Sequence, residues 1–151
     1  MDRQTQIETL LDHFNNPRHK GGLENADILM PGGNPGCGDV VTIYLNADGD
    51  RVGEVSFKGS GCTISQAAAS MLMEMVNDQK PSFDQVLEMD YEDMIDNLGR
   101  ETVESRPRCA TLALGTLKAA VKKLQRQKLR AEHGLPLEAS ATDADVEEFL
   151  I

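Results

Sequence analysis

Ile64, Ala67, Ala68, Met71, Leu72, Met75 and Val76 recur at helical spacing over three turns, on one face of a helix. A stripe of that length fixes an amphipathic helix and demands a second surface to cover it. Thr63 and Gln66 fit a capping box at its start. Asn77-Asp78 and Pro81 mark its end. A second stripe, Ala110, Ala113, Leu114, Leu117, Val121 and Leu124, runs along a longer helix that Pro107 suits as a first turn. Lys118, Lys122, Lys123, Arg126, Lys128 and Arg130 lie toward its far end, where they complement the negative end of the helix dipole. Gly134 and Pro136 close it.

The strand signals lie before these helices. Val40–Leu45 is β-branched and aromatic, Asn46 to Asp50 is turn chemistry, and Val52–Phe57 reads as the returning arm of an antiparallel hairpin. Ile7, Leu10, Leu11 and Phe14 form one apolar stripe on a short helix over residues 5–14, ended by Asn16-Pro17. Three Pro and six Gly in residues 15–38 predict mostly loop. Residues 82–104 hold eight acidic residues and one basic one, Arg100, and read as short exposed helices. The pattern predicts an α+β fold, a small antiparallel sheet packed against several helices with a long C-terminal helix. Residues 133–151 are expected to form an acidic tail beyond a domain of residues 1–132, with Val146, Phe149, Leu150 and Ile151 as an apolar group near its end.

Composition excludes several classes of function. The 151 residues suffice for one domain with its own core, and at 40% hydrophobic and 4% aromatic, with no Trp, that core must be aliphatic. The net charge of −10 argues against nucleic acid, whose phosphates select basic surfaces. The sequence holds no apolar run long enough for a membrane helix and no signal-peptide pattern. A cytoplasmic setting is therefore expected, in which the three cysteines are thiols or ligands rather than bridges.

Those three cysteines carry the chemistry. Cys37 sits in Asn34-Pro-Gly-Cys-Gly-Asp39, Cys62 in Gly59-Ser-Gly-Cys-Thr63, and Cys109 in Arg106-Pro-Arg-Cys-Ala110. Taken singly, each reads as well as a small buried hydrophobe. Their settings favour a ligand role. Glycine flanks let the backbone approach a bound ion closely at Cys37. A helix start after Cys62, and a helix start with Arg106 and Arg108 beside Cys109, favour thiolate. The hairpin brings Cys37, Asp39 and Cys62 to one sheet edge, so the long helix need only deliver Cys109. Three thiolates and the Asp39 carboxylate suit tetrahedral zinc or an iron–sulfur site. The glycine-rich run 32–38 lacks the Lys-Ser/Thr of a phosphate loop, and no zinc-deaminase motif is present. Met71, Met73 and Met75 are better read as core than as copper ligands.

The motifs together resemble the IscU/NifU-N/SufU family of iron–sulfur cluster assembly proteins. His13-Phe-Asn-Asn-Pro-Arg-His-Lys-Gly21 is similar to the family's N-terminal motif, and the settings of Cys37, Cys62 and Cys109 are similar to its three cysteine motifs, in order, across residues 5–130. The resemblance implies a SufE/NifU-like fold and an IscU-like domain over residues 1–132. It implies a zinc ion held by Cys37, Asp39, Cys62 and Cys109, with Cys37 as the sulfur-accepting residue. Arg108 stands where IscU-type scaffolds carry His, and Glu101-Thr-Val-Glu-Ser-Arg106 replaces their chaperone-recognition segment, which favours the SufU-like subtype. The stretch between Cys62 and Cys109 is shorter than in most SufU proteins. A SufU-like chain would act as a sulfurtransferase partner of a SufS-type pyridoxal-phosphate cysteine desulfurase and supply apo iron–sulfur proteins or a SufB-type scaffold. The alternatives are an IscU-type scaffold carrying a [2Fe–2S] cluster or iron, which would not be an enzyme, and an interaction module with purely structural zinc.

Overall fold

The computed structural model describes residues 2–34 and 38–135. In chain order the elements are α1 (Arg3–Asn15), β1 (Ile28–Asn34), β2 (Asp39–Asp48), β3 (Arg51–Ser60), α2 (Thr63–Gln79), α3 (Phe83–Glu88), α4 (Tyr91–Leu98), α5 (Arg100–Val103) and α6 (Pro107–Glu132). The sheet is antiparallel throughout, in the order β1-β2-β3. Asn34 pairs with Asp39, and Val40 with Ser60, so the end of β1, the start of β2 and the end of β3 meet at one end of the sheet.

Helices α2 and α6 pack against each other and against the sheet, α2 chiefly on β3 and α6 on β1 and β2. The core between them is aliphatic, as composition requires: Ile43, Leu45, Val55 and Phe57 meet Ala67, Leu72, Val76, Ala113, Leu117 and Val121, all buried. Each large side chain buried there contributes about 1.5–3 kcal/mol. Alanine on the facing stripes lets the helix backbones approach the sheet closely. Among the described residues, no helix is long and apolar enough to cross a membrane.

The segment read as loop contains a strand. Residues 28–34 pair with β2 although they include Pro31, Gly32 and Gly33. Pro31 is tolerated because β1 is an edge strand. Gly32 is required by α6: a Cβ there would lie 2.1 Å from Thr116 Oγ1. The other edge is covered as well. The Gly21 amide donates to Phe57 O at 2.7 Å, and the Phe57 amide donates to His19 O at 3.0 Å.

Three smaller expectations need correction. On α1, Leu10 and His13 are buried, whereas Leu11 and Phe14 are 45% and 39% exposed. On α2, Met73 is fully buried and Met71 and Met75 only partly. Helix α2 ends at Gln79 with a left-handed cap at Lys80, between the Asn77-Asp78 and Pro81 expected to mark its end. Asn77 does not break it; its side chain donates to Val55 O at 2.9 Å and accepts from Val55 N at 3.1 Å, pinning α2 to β3. The short helices of 82–104 bury Phe83, Val86, Met94, Ile95, Leu98 and Val103 while their acidic residues face outward. Of the expected tail, residues 136–151 lie outside the described residues.

Candidate metal centre

The pairing that joins the three strand ends also places Asp39. It opens β2, is 1% exposed, and lies under Gly61, the residue that leads from β3 into α2. Gly61 has φ +148°, and a Cβ on it would lie 2.2 Å from Asp39 Oδ1. Only glycine meets both demands. The turn brings the Cys62 amide to Asp39 Oδ1, donating at 2.8 Å.

Cys62 itself caps α2, accepting the Ser65 amide on Sγ at 3.5 Å. The expected Thr63–Gln66 capping box is therefore displaced by one residue, with sulfur in the role usually held by oxygen. Ser65 donates its hydroxyl to Cys62 O at 3.1 Å and accepts from Gln66 Nε2 at 3.3 Å. Ser65 and Gln66 are both buried, and sequence reasoning did not assign them to the site. The one available signal was their position in the first helical turn after a cysteine, three and four residues beyond Cys62.

Cys109 arrives from α6, in the first turn opened by Pro107, and is 1% exposed. Its thiol donates to Asp39 Oδ2 at 2.8 Å, and Cys62 Sγ lies 3.8 Å from the same oxygen. The ligand atoms of Asp39, Cys62 and Cys109 all lie within 4.8 Å of one another. Three of the four residues singled out in the sequence thus converge. The fourth, Cys37, lies outside the described residues, though Gly38 and Asp39 follow it directly. Among the described residues no histidine joins this cluster. His13 is instead tied to α2, with Nδ1 2.8 Å from Ser70 Oγ.

The electrostatics separate the members. Burial opposes ionisation of Asp39, but hydrogen bonds from Cys109 and from the Cys62 amide and thiol outweigh it and hold the carboxyl below its ordinary range. Burial, reinforced by the hydrogen bond to Asp39 and the nearness of Cys62, pushes the Cys109 thiol well above its ordinary value. That reverses the expectation that Arg106 and Arg108 favour a thiolate there. Both arginines are exposed, and burial of the sulfur wins.

The donor set fits zinc. Tetrahedral zinc with sulfur and oxygen ligands sets those atoms roughly 3.5 Å apart. The 3.8 Å and 2.8 Å contacts of Asp39 bracket that value, so small side-chain shifts suffice. A divalent cation would displace the thiol protons now shared with Asp39. An open hollow beside Cys62, lined by Phe14, Gly61, Thr63, Ile64 and Arg106, leaves this side of the site reachable.

A family profile described as the NifU-like N terminal domain matches residues 5–131. The chain is 38% identical, over 83% of its length and 79% of the relative's, to the iron–sulfur cluster assembly scaffold protein IscU of Aquifex aeolicus. It is 34% identical, over 77% of its length and 88% of the relative's, to the zinc-dependent sulfurtransferase SufU of Bacillus subtilis. Among solved structures it is similar to a candidate SUF-system cluster assembly scaffold of Fervidobacterium islandicum, with a TM-score of 0.67 and 26% identity over 80% of this chain and 99% of that one. The matched profile spans every element from α1 to α6, and the chain belongs to the NifU-like N-terminal domain family, which contains IscU and SufU.

Proposed function

We propose that this protein serves iron–sulfur cluster assembly as a SufU-like sulfur acceptor, with one zinc ion held by Cys37, Asp39, Cys62 and Cys109. The observation that carries this reading is the meeting of two thiols and a buried carboxylate at one end of the sheet, within 4.8 Å. Bound zinc would keep the cysteines deprotonated and oriented at neutral pH. Cys109 and Asp39 form the buried floor of the site, and Cys62 stands at its open side.

Cys37 is the proposed acceptor. In the transfer its thiolate attacks the outer sulfur of a persulfide on a SufS-type pyridoxal-phosphate cysteine desulfurase. A new S–S bond forms at Cys37, the old one breaks, and the desulfurase cysteine leaves as thiolate. Arg106, on the hollow beside Cys62, sets a cation on the approach path of that anionic group. Cys37 would pass the sulfur on to a SufB-type scaffold or an apo iron–sulfur protein. The setting is the cytoplasm, residues 1–132 form the working domain, and residues 133–151 form an acidic appendage. Arg108, in place of histidine before Cys109, favours this subtype.

A second reading has support of its own in the IscU relative from Aquifex aeolicus. The same residues would then assemble a [2Fe–2S] cluster, with the Asp39 carboxylate as the labile ligand, and the protein would be a carrier and not an enzyme. The test pairs metal analysis with desulfurase turnover. One zinc per chain, with turnover raised by the protein and not by its Cys37→Ala variant, is the result expected for sulfur transfer. A reconstituted cluster that passes to an apo-ferredoxin, without zinc or stimulation, establishes the scaffold. Bound zinc with no effect on turnover leaves an interaction module with structural zinc.

A further inference from the structure

We infer that the face formed by α2 and α4 is a docking groove for a basic amphipathic helix of a partner protein. Two adjoining clefts of about 220 Å³ each share Leu72, Met75, Met94 and Asn97. Met71 and Met89 extend the apolar lining. Four methionines therefore line one surface, of which Met71, Met75 and Met89 are only partly buried. Unbranched, polarisable thioethers adapt to the shape of an incoming apolar side chain and recur on surfaces that bind helices. Two neighbouring clefts accept two neighbouring side chains, as a helix offers at i and i+3 or i+4.

Charge selects the occupant. Asp90 and Asp93 line the groove and are exposed. Among the described residues neither forms an ion pair, whereas Glu92 and Asp96 on the same helix are both paired with Arg100. Lys118, which reaches the same end of α4, is engaged by the Tyr91 ring at 4.4 Å and by the Met89 carbonyl. With two carboxylates, Asp90 and Asp93, against the one ammonium of Lys118, the rim is net negative and suits lysine or arginine flanking the apolar anchors. It disfavours the chain's own acidic C-terminal segment and a second copy carrying a net charge of −10. Met71 and Met75 lie nine and thirteen residues beyond Cys62 on α2, about 14 and 20 Å along its axis. A partner seated here would leave the metal centre open.

The test uses the full chain labelled with 13C at its methionine methyls. The probe is a synthetic helical peptide of Leu and Lys, about 14 residues or four turns long. A matched peptide with every Leu replaced by Ala is the control. The methyls of Met71, Met75, Met89 and Met94 should shift saturably while Met30 stays put, and Asp93→Lys should weaken binding at least about fivefold. Equal shifts with the Ala/Lys peptide, or shifts confined to other methionines, would overturn the inference. So would groove-methyl shifts that follow protein concentration without peptide, which mean a second copy. Groove-methyl changes caused by Phe149→Ala without peptide mean that the chain's own C-terminus fills the groove, and they overturn it too.

Discussion

At the start of α2, Cys62 is half-buried, caps the helix and borders an open hollow; at the start of α6, Cys109 is buried and donates its proton to Asp39. Both sulfurs approach the same carboxylate oxygen from the first turn of a helix. A helix start alone therefore does not fix a cysteine's chemistry. Burial separates them: the Cys62 sulfur accepts a backbone N–H at the surface, while the Cys109 sulfur, sealed by the core, keeps its proton and anchors Asp39.

The largest effects come from removing either anchor. Asp39→Ala should lower zinc affinity by more than about 100-fold, beyond the roughly 10- to 100-fold lost with an outer-shell partner. Competition against a chromogenic chelator measures it, and an unchanged affinity would remove Asp39 from the site. In metal-free protein, Cys109→Ala should lower stability by about 2 kcal/mol, because a buried carboxylate loses a hydrogen-bond donor. Cys62→Ala should cost under about 1 kcal/mol, the weaker loss of a sulfur cap. Equal urea midpoints for the two variants would erase the distinction drawn between the helix starts.

Gly61→Ala keeps every proposed zinc ligand and attacks only their placement. Its φ of +148° and the 2.2 Å approach to Asp39 Oδ1 predict about 1–3 kcal/mol of destabilisation and a weaker hold on zinc. Wild-type affinity in this variant would mean that the carboxylate tolerates displacement.

The sequence revealed these parts unevenly. The stripes of α2 and α6 are legible because their periodicity is local, and the cysteine settings are legible because glycines and helix starts flank them. β1 is not, since Pro31, Gly32 and Gly33 have the composition of a loop and become a strand only where α6 presses on Gly32 through Thr116. The proton held by Cys109 escapes sequence reasoning for a related reason: Arg106 and Arg108 are visible in the sequence, while the burial that outweighs them arises from tertiary packing.

A smaller effect tests the other tie on α2. The Arg18 amide donates to Ser70 Oγ at 2.8 Å, and the Ser70 hydroxyl is left to meet His13 Nδ1. Burial, then the charge of Arg18, lowers the His13 pKa against the pull of Glu74 and Asp12. The folded state therefore resists protonation. The stability linked to His13 is complete above its unfolded pKa of about 6.5 and is lost as the pH falls through the lowered folded value. Between about pH 7.5 and 5.5 the urea midpoint should fall more in the wild type than in His13→Gln; parallel curves would refute this. Another small change should come from Ser65→Ala, at about 0.5–1.5 kcal/mol for the hydrogen bonds its hydroxyl makes to Cys62 O and Gln66, read as a slight loss in melting temperature.

Zinc K-edge X-ray absorption on the protein loaded with one equivalent of zinc tests the shared site most directly. Three sulfurs at about 2.3 Å and one oxygen at about 2.0–2.2 Å are expected, with one sulfur lost in Cys62→Ser and one in Cys109→Ser. A first shell of oxygen and nitrogen alone, or a sulfur count unmoved by both substitutions, would contradict a zinc centre built on these residues.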